Sequence, residues 1–247
     1  MRVAVLNDIH GNLPALDAVL AEVDRAGVDA IVVGGDLVWG PLPRETLERL
    51  MALDDRARFV MGNADRDVVE AFDGGAPEHE AVSAYCAAQI SQAHRDFLAG
   101  LPPPLVLDVD GLGETVFCHG TPRSDTERIT TATPDARLRR ILDGVGESLV
   151  VCGHTHRQFD RRIDGWRVVN AGAVGLPYEG RAGAFWALLG PEVKLRCTDY
   201  DVGVALDAFR AGGMPEYVEQ ELRVSLFEPA DPDEVAEYFE SRAESGA

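Results

Sequence analysis

Five short apolar runs in this chain each stop at a residue able to bind a metal ion. "RVAVL" (2–6) leads into Asp8 and His10, "AIVVGG" (30–35) into Asp36, and "RFVMG" (58–62) into Asn63. "VFC" (116–118) leads into His119, and "VVCG" (150–153) into His154 and His156. Runs that are apolar throughout read as strands covered on both faces. In an open α/β sheet the carboxyl ends of the parallel strands share one edge, where ligands bind. These seven side chains, each placed just after a strand, are therefore expected to converge on one cleft.

The rest of the chain fits that frame. Asn12 caps a helix that has Pro14 in its first turn, Leu13, Leu16, Val19, Leu20 and Val23 on one face, and Gly27 at its end. A second helix over 44–53 sits between the next two strands, so the first sixty residues alone suggest a doubly wound parallel sheet. Residues 64–100 read as mostly helical, and prolines 102–104 stop them. Strand-like runs follow at 105–109, 115–118 and 148–152, with a helix near 134–143. The runs 167–172, 184–190 and 193–200 lie close together, as in an antiparallel or mixed sheet. From Val204 the tail is helical and acidic, packed on one flank. There is no internal repeat or linker. The expectation is one domain over 1–247, with a helical cap-like segment at about 64–104 and a helical tail at about 204–247.

Charge narrows the function. The chain carries 42 acidic and 23 basic side chains in 247 residues, a formal charge of −19. That surface repels nucleic acid and anionic membrane, so broad binding to either is not expected. A small anionic substrate would need a local positive centre, and a metal is the natural one. No apolar stretch approaches the ~20 residues needed to span a bilayer. Cys118, Cys152 and Cys197 fall in strand-like runs and Cys86 in a helical one, with no CxxC pair. Together with an N-terminus that reads as a strand rather than a leader, this suggests a cytoplasmic protein.

Four histidines, two aspartates and an asparagine suit divalent ions such as manganese, iron, cobalt or zinc, and no thiolate is among them. One ion with open positions needs about three or four protein ligands, so seven suggest two ions sharing a carboxylate. Taken singly, each residue has a plainer reading. Asp8 could begin a turn, Asn63 could cap a helix, and a lone buried histidine is usually a hydrogen-bonded core residue. Seven such coincidences at strand ends are much harder to accept. His79 and His94 lie in the helical segment and read as surface residues.

At this point the chain resembles the calcineurin-like metallophosphoesterases, in particular their small bacterial and archaeal phosphodiesterase branch. "DIH" (8–10), "GD" (35–36), "GN" (62–63), "HG" (119–120) and "GHTH" (153–156) occur in that family's order. "NAGAVGLP" (170–177) is similar to its "NPGSVG" segment. The resemblance covers about residues 1–200 and implies a four-layer α/β/β/α sandwich of two mixed β-sheets flanked by helices. It places one ion on Asp8, His10, Asp36 and His156, and a second on Asp36, Asn63, His119 and His154. It implies two divalent ions, manganese first, with iron, cobalt, nickel, zinc or magnesium as alternatives. The reaction implied is phosphoester hydrolysis, chiefly of diesters, by a hydroxide bridging the ions, with Asp36, Asn63 and His119 at the reacting centre.

One position departs from the family. Where the family reads "GNHD" or "GNHE", this chain has "GNADRD": Ala64 replaces the histidine thought to protonate the leaving oxygen, and Asp65 is kept. Losing a general acid costs about 10²–10⁴ in rate. A substrate with a good leaving group, His79 acting from a lid, or the charge of Arg66 would each offset the loss. Asn63, Arg123 and Arg66 are the substrate-binding candidates, Arg123 because a guanidinium matches phosphate geometry. Arg157 and Arg181 are weaker candidates, and Tyr178 is placed to line or cover the pocket. The expected partner is a small phosphorylated substrate, and the acidic tail leaves room for a homo-oligomer. The alternative is a regulatory metal-binding protein with little turnover.

Overall fold

The computed structural model describes residues 1–77 and 80–244. Its ten strands are β1 (Val3–Leu6), β2 (Ala30–Val33), β3 (Ala57–Phe59), β4 (Leu105–Val109), β5 (Gly113–Phe117), β6 (Leu149–Cys152), β7 (Phe159–Ile163), β8 (Trp166–Asn170), β9 (Ala184–Leu189) and β10 (Val193–Thr198). Among the described residues there are nine α-helices: α1 (Leu13–Ala26), α2 (Pro43–Met51), α3 (Asn63–Phe72), α4 (Glu80–Gln89), α5 (Gln92–Ala99), α6 (Asp135–Leu142), α7 (Val202–Ala211), α8 (Glu216–Leu222) and α9 (Pro232–Glu244).

The strands form two mixed five-stranded sheets, ordered β10-β9-β1-β2-β3 and β4-β5-β6-β8-β7. In the first, β1, β2 and β3 run parallel while β9 lies antiparallel to β1. In the second, β5, β6 and β8 are parallel. The sheets pack face to face through Val3, Val5 and Val32 from one side and Phe117, Val151 and Val169 from the other. This explains why "VAVL" (3–6) and "LVVC" (149–152) are apolar at every position: one face meets the partner sheet and the other meets helices. On the first sheet that outer layer includes α1, whose Leu16, Val19, Leu20 and Val23 are buried. On the second, α6 supplies Leu138, Ile141 and Leu142. The result is the sandwich implied by the family resemblance, and the doubly wound sheet suggested by the first sixty residues is corrected. A second layer of strands occupies the face that such a sheet would cover with helices.

Most boundaries agree with the sequence to within about two residues. Asn12 accepts a hydrogen bond from the Ala15 amide, and Gly27 ends α1 in the left-handed conformation at φ 64°. The strand missed is β7, "FDRRI", whose three central residues are charged. It lies at the edge of the second sheet, where one flank needs no partner. All four cysteines are free thiols, and burial pushes Cys86 and Cys152 up to about 12. Among the described residues, no helix is long and apolar enough to cross a membrane.

Candidate metal centre

The loops after β1 and β2 continue side by side beyond the sheet. Asp8 donates its amide to Gly35 O (3.1 Å) and His10 donates to Asp36 O (2.9 Å). From the other flank, the segment after β8 grips the same loop, with the Val174 amide on Asn7 O and the Gly175 amide on Asp8 O. That grip gives "NAGAVG" its place in the site without any ligand of its own. Five of the candidate ligands sit at positive φ: Asp8 (53°), His10 (48°), Asp36 (56°), His154 (64°) and His156 (56°). Each such residue costs on the order of 1–3 kcal/mol and persists only where the surroundings impose it. Between the paired ligands, Ile9 and Thr155 turn into the core, and Thr155 Oγ1 donates to Ile129 O.

All seven sequence-predicted ligands meet. Ligand atoms of Asp8, His10, Asp36 and His156 lie within 4.8 Å of one another, as do those of Asp36, His119 and His154. Asn63 Oδ1 joins the second group at 3.1 Å from His119 Nε2. Asp36 belongs to both. Its Oδ1 accepts the Ala64 amide at the N-terminus of α3 (2.8 Å). Its Oδ2 lies 3.6 Å from His10 Nε2 and 3.3 Å from His119 Nε2. One oxygen is thus fixed to the helix while the other faces both groups.

Each imidazole is oriented by a backbone carbonyl, which can only accept. His10, His119 and His156 donate from Nδ1 to the carbonyls of Trp39 (2.9 Å), Gly34 (2.9 Å) and Leu176 (2.6 Å), so Nε2 is the nitrogen turned to the cluster. His154 is reversed: Nε2 donates to Thr126 O (3.1 Å), leaving Nδ1 as its donor atom. This is the tautomer-fixing contact that metal-binding histidines use. Tyr178 stacks on His156 with centroids 5.0 Å apart.

Asp8 and Asp36 are buried, and neither forms an ion pair with a lysine or arginine among the described residues. Burial pushes both carboxyls up, but the neighbouring imidazoles outweigh it and hold both below the ordinary value, chiefly His156 for Asp8 and His119 for Asp36. Burial lowers His10 to about 4, assisted by His156, and lowers His154 to about 3, assisted by His119. Burial also works against the charged form of His119, but Asp36 outweighs it and raises that residue to about 10. The donor set of hard carboxylates, borderline imidazoles and an amide oxygen, arranged in two groups around one shared oxygen, fits two divalent ions.

Asp65 explains why the aspartate of "GNAD" is present. It is fully buried and accepts the amides of Leu37 (2.8 Å), Asp36 (2.9 Å) and Gly62 (3.2 Å), tying the β2 loop to the start of α3. Burial, and then the charge on Asp36, push its carboxyl up to about 7. The motif glycines are needed for close approach. A Cβ on Gly62 would run into the Asp36 carboxylate, and one on Gly153 would lie 2.5 Å from Asp8 Oδ2.

A cavity of about 570 Å³ opens over the ligands. Ala64 lines it, where the family carries a histidine. Arg66 and Arg123 are not among its lining residues. Arg66 pairs with Asp125, and Arg123 holds Glu127 through two nitrogens and the Arg140 carbonyl through a third. Arg157 anchors the start of α9 through Pro232 O and Asp233, and Arg181 lies over Phe185. His94 belongs to the cap of α5, and His79 lies outside the described residues. Sequence reasoning missed the far wall, formed by Tyr238, Phe239 and Arg242 of α9, together with Arg128. The only signal was an aromatic pair, "YF", in an otherwise acidic helical tail.

Fold and site together define an α/β sandwich with a buried aspartate–histidine centre at the carboxyl edge of its strands. The chain belongs to the calcineurin-like phosphoesterase superfamily, whose domain matches residues 1–189. It is similar to a solved metallophosphoesterase from Sphaerobacter thermophilus, with 28% identity and a TM-score of 0.73, covering 90% of this chain and 98% of that one. A solved hypothetical protein from Pyrococcus horikoshii is 25% identical with a TM-score of 0.78, covering 90% and 97%. An uncharacterised protein of Methanocaldococcus jannaschii is 26% identical over 243 residues, 89% of this chain and 96% of its own.

Proposed function

We propose that the protein is a dinuclear metal-dependent phosphoesterase that hydrolyses phosphodiesters in preference to monoesters, in a reducing cytoplasm. The observation that carries this reading is the shared position of Asp36, whose Oδ2 faces both ligand groups. Asp8, His10, Asp36 and His156 would hold one ion, and Asp36, Asn63, His119 and His154 the other. Two bound cations would supply Lewis-acid charge for a phosphoryl group and lower the pKa of a water. Manganese is the first candidate, since carboxylate, imidazole and amide oxygen all suit it.

The chain's own residues do the positioning. His10, His119, His154 and His156 are held in fixed orientation by backbone carbonyls, so little reorganisation is needed when cations or substrate bind. Tyr178 packs against His156, and with Trp39 it helps wall the cavity. The cavity is large enough for a diester with groups on both sides of phosphorus. Ala64 cannot transfer a proton, so leaving groups of low basicity are favoured.

Ala64 also supports a second reading, a metal-binding regulatory protein of low turnover. Hydrolysis of bis(4-nitrophenyl) phosphate and 4-nitrophenyl phosphate after manganese loading separates the two, because these leaving groups need little protonation. Turnover of the diester above that of the monoester is expected. A fully loaded protein that cleaves neither ester would establish the regulatory reading.

A further inference from the structure

Among the described residues two arginines line the cavity, Arg128 and Arg242, and Arg242 reaches the Tyr238 hydroxyl; arginines that do not line it are held elsewhere. Arg66, Arg123, Arg137 and Arg157 each hold a carboxylate, on Asp125, Glu127, Glu240 and Asp233. Arg128 lines the cavity and makes no side-chain hydrogen bond or ion pair among the described residues. Its Nε is buried without a hydrogen-bond partner, and its guanidinium lies 5.5 Å from the centre of the Phe239 ring. In a chain with 42 acidic side chains, a cation without a carboxylate at such a place is unexpected. A guanidinium desolvated on one side and unpaired on the other is poised for an anion.

Its location says which one. Arg128 follows Thr126, whose carbonyl orients His154, so the same short segment sets a ligand and presents the cation. Arg128 and His154 both line the cavity, on the side of the second ligand group. That side also carries Asn63 and Ala64. Resting on the phosphoesterase reading above, we propose that Arg128 binds the non-bridging phosphoryl oxygens of the substrate from within this cavity, which neither Arg66 nor Arg123 lines. Phe239 is the positioning residue, since its ring fixes the plane from which the guanidinium reaches the cavity.

The test compares the full-length, manganese-loaded protein with R128A, R128Q and R128K. The readouts are metal content, KM and kcat for bis(4-nitrophenyl) phosphate, and the calorimetric Kd for inorganic phosphate. A charge-assisted pair is worth about 1.5–3 kcal/mol, so R128A and R128Q should raise both KM and the phosphate Kd roughly 10- to 100-fold. Metal content should stay that of the unmodified protein, and R128K should fall between, keeping charge but not the fork. Unchanged phosphate affinity in R128A at full metal content would overturn the proposal. Loss of metal in R128A and R128Q would overturn it too, by showing that Arg128 acts through the ligands. If the unmodified loaded protein neither binds phosphate nor cleaves the ester, the phosphoesterase reading fails along with it. If it cleaves the ester and R128A matches it throughout, only the role of Arg128 fails.

Discussion

Asp36 is held by two different parts of the chain: its amide by Asp65 and its Oδ1 by the first turn of α3. An asparagine at 36 would keep the shape and remove the charge that both ligand groups share. D36N is therefore expected to bind at most one ion per chain and to lose at least 10³-fold in diester hydrolysis, measured by elemental analysis beside steady-state rates. Full metal content in D36N would contradict the shared-ligand assignment. Asp65 makes a different demand. D65N would turn an amide N–H₂ toward backbone N–H groups already pointing at it, leaving one buried donor unmatched. A loss of about 1–3 kcal/mol in denaturant unfolding is expected, and no change would show that the carboxylate is not what holds the loop. Asp65 was legible in the sequence only as part of a motif. Its partners lie in the loops after β2 and β3, and a sequence does not show which amides a buried carboxylate will meet.

At the level of elements, β1, β2 and β6 were readable because a run covered on both faces is apolar throughout, and the ligand after it breaks the pattern. β7 was not readable, since an edge strand with three charged residues has no such signature. The role of α9 was hidden for another reason: amphipathic pattern identifies a helix but not the surface it covers. Glu240 accepts Thr130 Oγ1 (2.7 Å) and Thr133 Oγ1 (2.5 Å) and pairs with Arg137 (2.8 Å), fastening the helix to the segment after Arg128. Both partners of that pair are about 85% buried, with relative exposures of 15% and 13%, so breaking it should matter. E240A is expected to speed amide exchange across residues 232–243 at least tenfold while leaving metal content unchanged, as read by hydrogen–deuterium exchange. Unaltered exchange would show that the apolar contacts of α9 suffice without Glu240.

On the scale of the whole molecule, the ligands come from both sheets. Asp8, Asp36 and Asn63 follow strands of the first, while His119, His154 and His156 follow strands of the second. Cations bound there would link the two layers beyond their apolar interface, and an unfolded chain would not preserve the arrangement. Loading should therefore raise the unfolding midpoint, by about 2.7 kcal/mol of added stability at a hundredfold excess over Kd, and chelation should reverse it. A midpoint indifferent to manganese and to chelator would argue against a preformed site. The superfamily match ends at residue 189, before α9, so the part of the cavity wall formed by Tyr238, Phe239 and Arg242 lies outside the matched segment. The ligands were legible because metal chemistry restricts them to a few residue types at fixed places. A substrate wall admits many sequences and leaves no such mark.

The most direct test is manganese titration of the metal-free protein, followed by stoichiometry and electron paramagnetic resonance. Two ions per chain with an exchange-coupled spectrum are predicted, because Asp36 Oδ2 faces both groups. A single uncoupled ion, or none, would contradict the dinuclear centre on which the functional reading rests.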